Sequence, residues 1–297
     1  MDKSQSTTDN MRVLVTGASG LLGTPLCALI AQRSDMTCIG LARSDLDITS
    51  FDAVQANIKK HAPHWVINCA AYTKVDDCET NEEWATTVNG SGAGNVAAAA
   101  AEVGANTVHI STDYVFDGTA CEPIAADATT GPPAKLSAYG RSKLAGEQAV
   151  MQHHQNPTIV RTAWVYGLDG PCFPAAILNL ARAGKLKKVV NDQHGAPTFA
   201  PDLAAAILHL IDAQTTGIFH VTNSGSCTWY DFAQYLLEHT PDIDTAIEPC
   251  STDEFPRPAR RPAYSVLDLS RYESVTGKKM RDWRAAAADY MQQMHID

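Results

Sequence analysis

Met11-Arg-Val-Leu-Val-Thr16 is a short apolar run that leads directly into Gly17-Ala-Ser-Gly20-Leu-Leu-Gly23, and an apolar, helix-favouring stretch over 26–32 follows. Strand, glycine turn and helix in that order constrain the fold more than any other segment. A parallel strand buried on both faces reads as a near-continuous apolar run. The glycines permit a tight turn and a close approach of backbone to a pyrophosphate. The helix that follows offers free N–H groups and the positive end of its dipole. Pro25 is compatible with the first turn of that helix. Gly17, Ser19, Gly20, Leu21, Leu22 and Gly23 are therefore candidates for holding a dinucleotide, although the spacing is G-x-x-G-x-x-G rather than G-x-G-x-x-G.

The same alternation continues. Residues 37–41, 65–69, 106–110 and 158–162 read as strands, and 82–104 and 139–153 as helices. Strands alternating with helices predict an α/β fold, a Rossmann-like doubly wound parallel sheet. Ligands of such sheets bind beyond the carboxyl ends of the strands. The glycine turn, Ala70-Ala71-Tyr72-Thr73 and Ser111-Thr112-Asp113 all follow strands, so three motifs point to one crevice. After Tyr166 the pattern becomes irregular, with short strands over 188–192 and 217–221 and helices over 201–213 and 228–239. A proline-punctuated loop over 255–262 carries three arginines. The expected organisation is a polar tail over 1–10, a dinucleotide-binding domain over 11–165, and a smaller, mainly substrate-binding lobe over 166–297 from which the chain can cross back.

At the end of the second strand stand Arg43 and Ser44, where sites that prefer NAD usually carry a carboxylate for the ribose 2′-hydroxyl. A cation and a hydroxyl suit a 2′-phosphate, which selects NADPH. Asp45 nearby keeps NADH as the alternative. Asp47 and Ile48 fall where the adenine would lie, and Ala70, Ala71 and Tyr72 border the crevice.

Tyr139-Gly-Arg-Ser-Lys143 puts a phenol and an ammonium one helical turn apart on one face. A free tyrosine has a pKa of about 10 and is a poor acid at neutral pH. A nearby Lys⁺ favours the phenolate and lowers that value. Reaching about 7 requires roughly 4 kcal/mol, at about 1.36 kcal/mol per unit.

The chain of 297 residues carries a net charge of −10. That argues against nucleic acid as a partner, since phosphate binding along a duplex needs a basic face. The eight cysteines form no C-x-x-C pair, and Cys27, Cys38 and Cys69 lie in apolar segments. This usage points to a reduced, cytoplasmic protein. The first ten residues lack the apolar stretch of a signal peptide, and no run approaches a membrane span.

Taken together, these residues resemble the extended short-chain dehydrogenase/reductase superfamily, and within it the dTDP-4-dehydrorhamnose reductase family. The matching pieces span nearly the whole chain. They are VTGASGLLG, LDIT at 46–49, INCAAYTKVDDCE at 67–79, VNGSGAGNVA at 88–97 and HISTDYVFDG at 109–118. YGRSKLAGE at 139–147, RTAWVYG at 161–167, NDQHGAPT at 191–198, FHVTNSG at 219–225 and RPAYSVLD at 261–268 complete the series.

The resemblance implies NADPH-dependent reduction of the C4 keto group of a nucleotide-linked 4-keto-6-deoxy-L-hexose. Tyr139 would donate the proton, and Lys143 would lower the Tyr139 pKa and hold the nicotinamide ribose. Thr112 would hydrogen-bond the keto oxygen with Asp113 beside it, and Ser111 would support the loop. By similarity Thr73 and Val75 lie near the sugar, and Trp164 packs against it or serves as a core aromatic. Asn191, Gln193 and Thr198 would meet the nucleotide or its phosphates, although Asn191 and Asp192 equally suit a strand-ending turn. Arg261 is the choice for a diphosphate contact, with Arg257 and Arg260 as competitors. His194 and Asn89 read as structural.

Some members of this family dimerise through magnesium held by glutamates. One such position is Pro25 here and another falls near Pro201, where only Asp202 follows. The expectation is no bridging metal, and a monomer or a dimer through another surface. Reduction of a different 4-keto sugar, or of one on a different nucleotide, stays open, and two competing functions remain. An epimerase or dehydratase of this fold is disfavoured, because dehydratases use a Thr-Asp-Glu triplet and this chain has Thr112-Asp113-Tyr114. A non-catalytic subunit resembling the methionine adenosyltransferase beta subunit is the other.

Overall fold

A computed structural model of the chain describes residues 10–243 and 245–294. The tail expected over 1–10 therefore lies, apart from Asn10, outside the described residues. The chain opens with strand β1 (Met11–Thr16), helix α1 (Gly23–Ala31), β2 (Met36–Leu41), α2 (Phe51–His61) and β3 (Trp65–Asn68). A short α3 (Val75–Cys78) and α4 (Glu82–Thr86) lead through a π-helical stretch, Thr87–Gly92, into α5 (Ala93–Glu102). Next come β4 (Asn106–Thr112), α6 (Ala138–His153), β5 (Thr158–Thr162), β6 (Val165–Tyr166) and α7 (Phe173–Arg182). The later chain holds β7 (Lys188–Val190), β8 (His194–Gly195), β9 (Thr198–Phe199), α8 (Ala200–Asp212) and β10 (Gly217–His220). It closes with β11 (Cys227–Thr228), α9 (Trp229–Glu238), β12 (Glu248–Cys250), α10 (Ser270–Thr276) and α11 (Trp283–Met294).

Six parallel strands form the main sheet in the order β10-β5-β4-β3-β1-β2. From β1 the sheet grows one way to β2 and the other way to β3 and beyond. The switch point lies between β1 and β3, where an open α/β sheet leaves a crevice at its carboxyl edge. β1 alternates across the sheet as a strand must. Val13 and Val15 join Leu26, Ile30, Ile207 and Leu210 in one core. Leu14 joins Val54, Ile58, Val66 and Val96 in the core on the other face. The lobe has a different core, built on Tyr166, Phe199, Phe232, Trp283 and Tyr290.

Two elements differ from the sequence reading in ways that shape the site. The helix expected over 82–104 widens at Thr87–Gly92. Wide turns of this kind recur where a side chain must be turned to a local task. Here Asn89 is buried and clamps Tyr72 from both sides, accepting from its N–H (2.7 Å) and donating to its carbonyl (3.0 Å), while its amide also donates to Ser142 Oγ (2.9 Å). The strand expected over 106–110 runs on to Thr112, so Ser111 and Thr112 point to opposite sides of β4. In the later chain, α8 packs beside α1 and β10 pairs with β5, so 200–220 belongs to the main sheet rather than to the lobe.

Candidate active site

The crevice at the switch point is a matter of missing side chains. Gly17 has φ +66°, and a Cβ there would lie 2.8 Å from the Ala70 nitrogen at the exit of β3. A Cβ on Gly23 would lie 2.1 Å from the Gly17 carbonyl. Only hydrogen fits at either place, so the turn folds onto itself and abuts the neighbouring strand end. No side chain caps the start of α1, where Thr24 N–H is on the Gly20 carbonyl and Pro25 has none, so the positive end of the helix dipole rather than a row of free N–H groups faces the turn.

The cleft so formed holds about 220 Å³. It gathers Gly17, Ser19 and Gly20 from the turn, Arg43, Asp47 and Ile48 from beyond β2, and Ala70, Ala71 and Tyr72 from beyond β3. Leu21, Leu22 and Gly23 stand apart from this wall: Leu22 and Gly23 are buried in the start of α1, and Leu21 packs beside Gly167 and Gly170. Asp45 serves its own turn, accepting from Ala42 N–H (2.9 Å) and Ser44 Oγ (3.4 Å). Asp47 accepts from both the N–H and the hydroxyl of Thr49, which hold its carboxyl below the usual range. Leu46, Cys69, Trp84 and Val88 also line the cleft, and none of them is a candidate for it by sequence. Trp84 and Val88 stand one helical turn apart, a signal that their shared face looks onto a site.

Tyr139 sits in the first turn of α6, whose start is capped by Ser137 Oγ accepting from Gly140 N–H (3.1 Å). Two glycines let this helix settle on the site: a Cβ on Gly140 would lie 2.3 Å from the Tyr114 carbonyl, and one on Gly146 would lie 2.2 Å from the Asn89 carbonyl. Tyr139 and Lys143 are both buried. Thr112 Oγ1 faces the Tyr139 phenol, donates to Asp113 Oδ1 (3.0 Å), and accepts from Tyr114 N–H (3.3 Å). Asp113 Oδ2 is buried with no well-formed hydrogen bond. Burial pushes the Asp113 carboxyl up to about 6, against the lowering influence of the Ser265 and Thr112 hydroxyls.

One expectation is corrected here. The spacing of Tyr139 and Lys143 leads to a phenol lowered by the ammonium. Instead, burial raises the Tyr139 pKa, and the group that pulls it back is the Thr112 hydroxyl. The Lys143 ammonium is turned to the Ile110 carbonyl (2.6 Å). Burial lowers the lysine itself to about 8, with Glu147 and Cys69 opposing. One turn further along the same face of α6, Ser111 Oγ donates to Glu147 Oε1 (2.5 Å), and Glu147 takes both Nε (2.8 Å) and Nη2 (2.7 Å) of Arg161. This fully buried pair ties β4, α6 and β5 together behind the site.

A second cleft, of about 760 Å³, opens on the lobe side. Tyr114, Phe173 and Trp229 supply aromatic wall, and Lys188, Arg257 and Arg261 supply charge. Gln193 lines it and donates to Thr252 Oγ1 (2.9 Å), while Asn191 is exposed beside it with its N–H on the Cys250 carbonyl. Val75 opens α3 and is half-buried, and Thr73 is exposed in the loop before it. Trp164 has φ +50° and stacks on Trp229 with ring centroids 3.5 Å apart, while Gly195 packs against its indole. Of this stacked pair it is Trp229 that lines the cleft. Thr198 is a correction: it is fully buried, its hydroxyl donates to the Ala196 carbonyl (3.4 Å), and it has no surface to offer a ligand. His194 is exposed on β8, its ring tilted toward Tyr264.

Tyr139 lies between the two clefts and touches a lining residue of each. Its ring makes an edge contact with Tyr114 of the second cleft, centroids 5.4 Å apart. It also packs in one apolar cluster with Tyr72 of the first. Among the described residues, no group of three or more His, Cys, Asp or Glu is placed to hold a metal ion. No helix among them is long and apolar enough to cross a membrane.

Comparison with known proteins agrees with this geometry. The family described as RmlD substrate binding domain matches residues 11–296. A dTDP-4-dehydrorhamnose reductase from Mycolicibacterium smegmatis is 42% identical over 281 residues, covering 94% of this chain and 84% of the relative. A dTDP-4-keto-6-deoxy-D-glucose reductase from Streptomyces niveus is 38% identical, covering 96% and 98%. The crystal structure of dTDP-4-dehydrorhamnose reductase from Bacillus anthracis in complex with NADP superposes with a TM-score of 0.91 at 36% identity, covering 96% of this chain and 100% of that one. The chain belongs to the RmlD family and is an NAD(P)H oxidoreductase of the dTDP-4-dehydrorhamnose reductase type.

Proposed function

We propose that the chain reduces the C4 keto group of a nucleotide-linked 4-keto-6-deoxy-L-hexose, converting dTDP-4-dehydrorhamnose to dTDP-L-rhamnose with NADPH. The observation that carries this reading is the position of Tyr139 between the cleft beneath the glycine turn and a cationic, aromatic one. When bound, NADPH supplies the hydride that C4 accepts. The Tyr139 phenol gives its proton to the keto oxygen as charge develops there. A phenol raised by burial stays protonated at neutral pH until an oxyanion forms beside it. The Thr112 hydroxyl stands next to that phenol, and by turning its one proton from Asp113 Oδ1 to the keto oxygen it would become a second donor there. Lys143, at about 8, is charged at pH 7, and with its ammonium on the Ile110 carbonyl its role would be to hold the nicotinamide ribose. Arg43 would meet a 2′-phosphate, which favours NADPH over NADH. Arg261 and its neighbours would hold the diphosphate.

The Streptomyces niveus relative supports a second reading, in which the same chemistry acts on another dTDP-linked 4-keto-6-deoxy hexose. We further propose a cytoplasmic setting and a monomer, or a dimer not bridged by metal. All eight cysteines are unpaired thiols. The Asp202 carboxylate, which follows Pro201, is taken by Arg281 Nε (2.8 Å) and Asn223 Nδ2 (2.7 Å).

The test is NADPH oxidation followed by absorbance, with dTDP-4-keto-L-rhamnose made in situ, for wild type and Tyr139→Phe. Expected is turnover by wild type and a loss of about 10²-fold or more in the variant, since an acid/base group contributes typically about 10²–10⁴. Binding of NADPH without turnover would sink the rhamnose assignment and direct attention to other keto sugars.

A further inference from the structure

We propose that Asp76 is a positioning residue for the diphosphate of the substrate, holding Arg261 with one edge of its guanidinium free for phosphate. The inference rests on reading the second cleft as the nucleotide site. Asp76 Oδ1 accepts from Arg261 Nη1 and from the Ala259 N–H (3.2 Å), and the same Nη1 donates to the Ala259 carbonyl (2.7 Å). Every hydrogen bond of the Arg261 side chain among the described residues passes through Nη1. The edge made by Nε and Nη2 is left for a ligand, and that paired edge is the one suited to bidentate phosphate recognition. Both residues line the cleft, together with Arg257 and the Tyr114 that touches Tyr139.

What makes Asp76 a reference point is the footing of α3. Glu79 Oε1, just beyond it, accepts from the Ala138 N–H (2.8 Å) at the head of α6. Glu82 takes Arg141 Nε (2.6 Å) and Nη2 (2.8 Å) further along the same helix. The segment that carries Asp76 is thus pinned to the helix that carries Tyr139. An arginine from a loop nearly two hundred residues away is thereby fixed in the frame of the proton donor. Immobilising a long side chain on binding costs about 0.5–1.5 kcal/mol, a factor of roughly 2–12 in affinity. Asp76 removes that cost before the ligand arrives. The opposing effect is repulsion between the carboxylate and the diphosphate, which the pairing with Arg261 largely cancels.

The experiment is calorimetric titration of full-length protein with dTDP and, separately, with NADPH, alongside steady-state kinetics. Asp76→Ala is expected to weaken dTDP binding roughly 3- to 10-fold and to raise KM for the sugar nucleotide by a similar factor, with kcat and NADPH affinity kept. Asp76→Asn keeps an oxygen that accepts from both partners and should stay within about twofold of wild type. In an Arg261→Ala background, Asp76→Ala should cost nothing further. Tighter or unchanged dTDP binding in Asp76→Ala overturns the proposal, because the carboxylate then only competes for the arginine. So does an equal loss in the Arg261→Ala background, or a parallel loss of NADPH affinity, which would mark a general structural role. A wild type that binds no dTDP would overturn the reading of the cleft itself.

Discussion

The cleft beneath the glycine turn and the cleft beneath the arginine loop flank Tyr139, yet they are made differently. The first is shaped by backbone, with side chains such as Arg43, Ile48, Trp84 and Val88 set around it. Its turn exists because hydrogen is all that fits at Gly17 and Gly23, and loops that leave three adjacent strands of one sheet form most of its wall. The second is made of side chains from segments far apart in the chain, including Asp76, Tyr114, Phe173, Trp229 and Arg261. A backbone site has few intermediate states between intact and broken. A side-chain site changes by degrees, one residue at a time. That contrast fits a family in which relatives of similar identity bear the names of different sugar substrates.

The joint between the clefts is where the comparison can be broken most severely. Lys143 is buried and lowered from 10.5 to about 8. A group whose folded pKa lies below its unfolded value binds its proton less tightly when folded. Carrying the charge therefore costs stability below about pH 8, and the cost fades as pH rises toward 10.5. Lys143→Met is expected to abolish turnover and yet to raise stability at pH 7 by about 3 kcal/mol, since lowering a pKa by one costs about 1.36 kcal/mol. Thermal unfolding measured from pH 7 to 10.5 should show the gain shrinking to nothing. A variant less stable than wild type at pH 7 would show that the ammonium is a net support of the joint.

The next effect sharpens the contrast directly. Gly17→Ala places a side chain at φ +66° and 2.8 Å from the Ala70 nitrogen. The left-handed backbone alone costs about 1–2 kcal/mol, and the clash adds to it. Loss of NADPH affinity by about 30-fold or more is expected, for a penalty of about 2 kcal/mol. Titration with dTDP should stay within about threefold of wild type. Comparable loss at both clefts would mean that the two sites are one cooperative unit.

The same difference in material explains what was legible in the sequence. Gly17, Arg43 and Ala70 follow strands whose apolar runs are plain, so topology alone brings them to one edge. Tyr139 and Lys143 were marked by helical spacing. Their electrostatics were not, because spacing reports which side chains share a face and says nothing of burial or of the Ile110 carbonyl that draws the ammonium. Trp229, Phe173 and Asp76 were missed for a related reason: no local pattern separates a cleft wall from a core aromatic or a surface carboxylate. Thr198 shows the converse, a residue in a family motif whose side chain the fold buries completely.

The smallest expected effect tests whether the backbone cleft also uses a side chain to choose its cofactor. Arg43 is exposed at the rim, past the end of β2, and Asp45 beside it is engaged within its own turn. An exposed charge contact is screened by solvent and is worth about 1 kcal/mol or less. Arg43→Ala should therefore raise KM for NADPH only about fivefold, leave KM for NADH unchanged, and keep kcat with either. That pattern would assign the 2′-phosphate to Arg43. An equal rise for NADPH and NADH would place the arginine on the adenine or the pyrophosphate instead. No change with either would take Arg43 out of cofactor choice and leave it to the glycine turn and the other residues of the cleft, Asp47 and Ile48 among them.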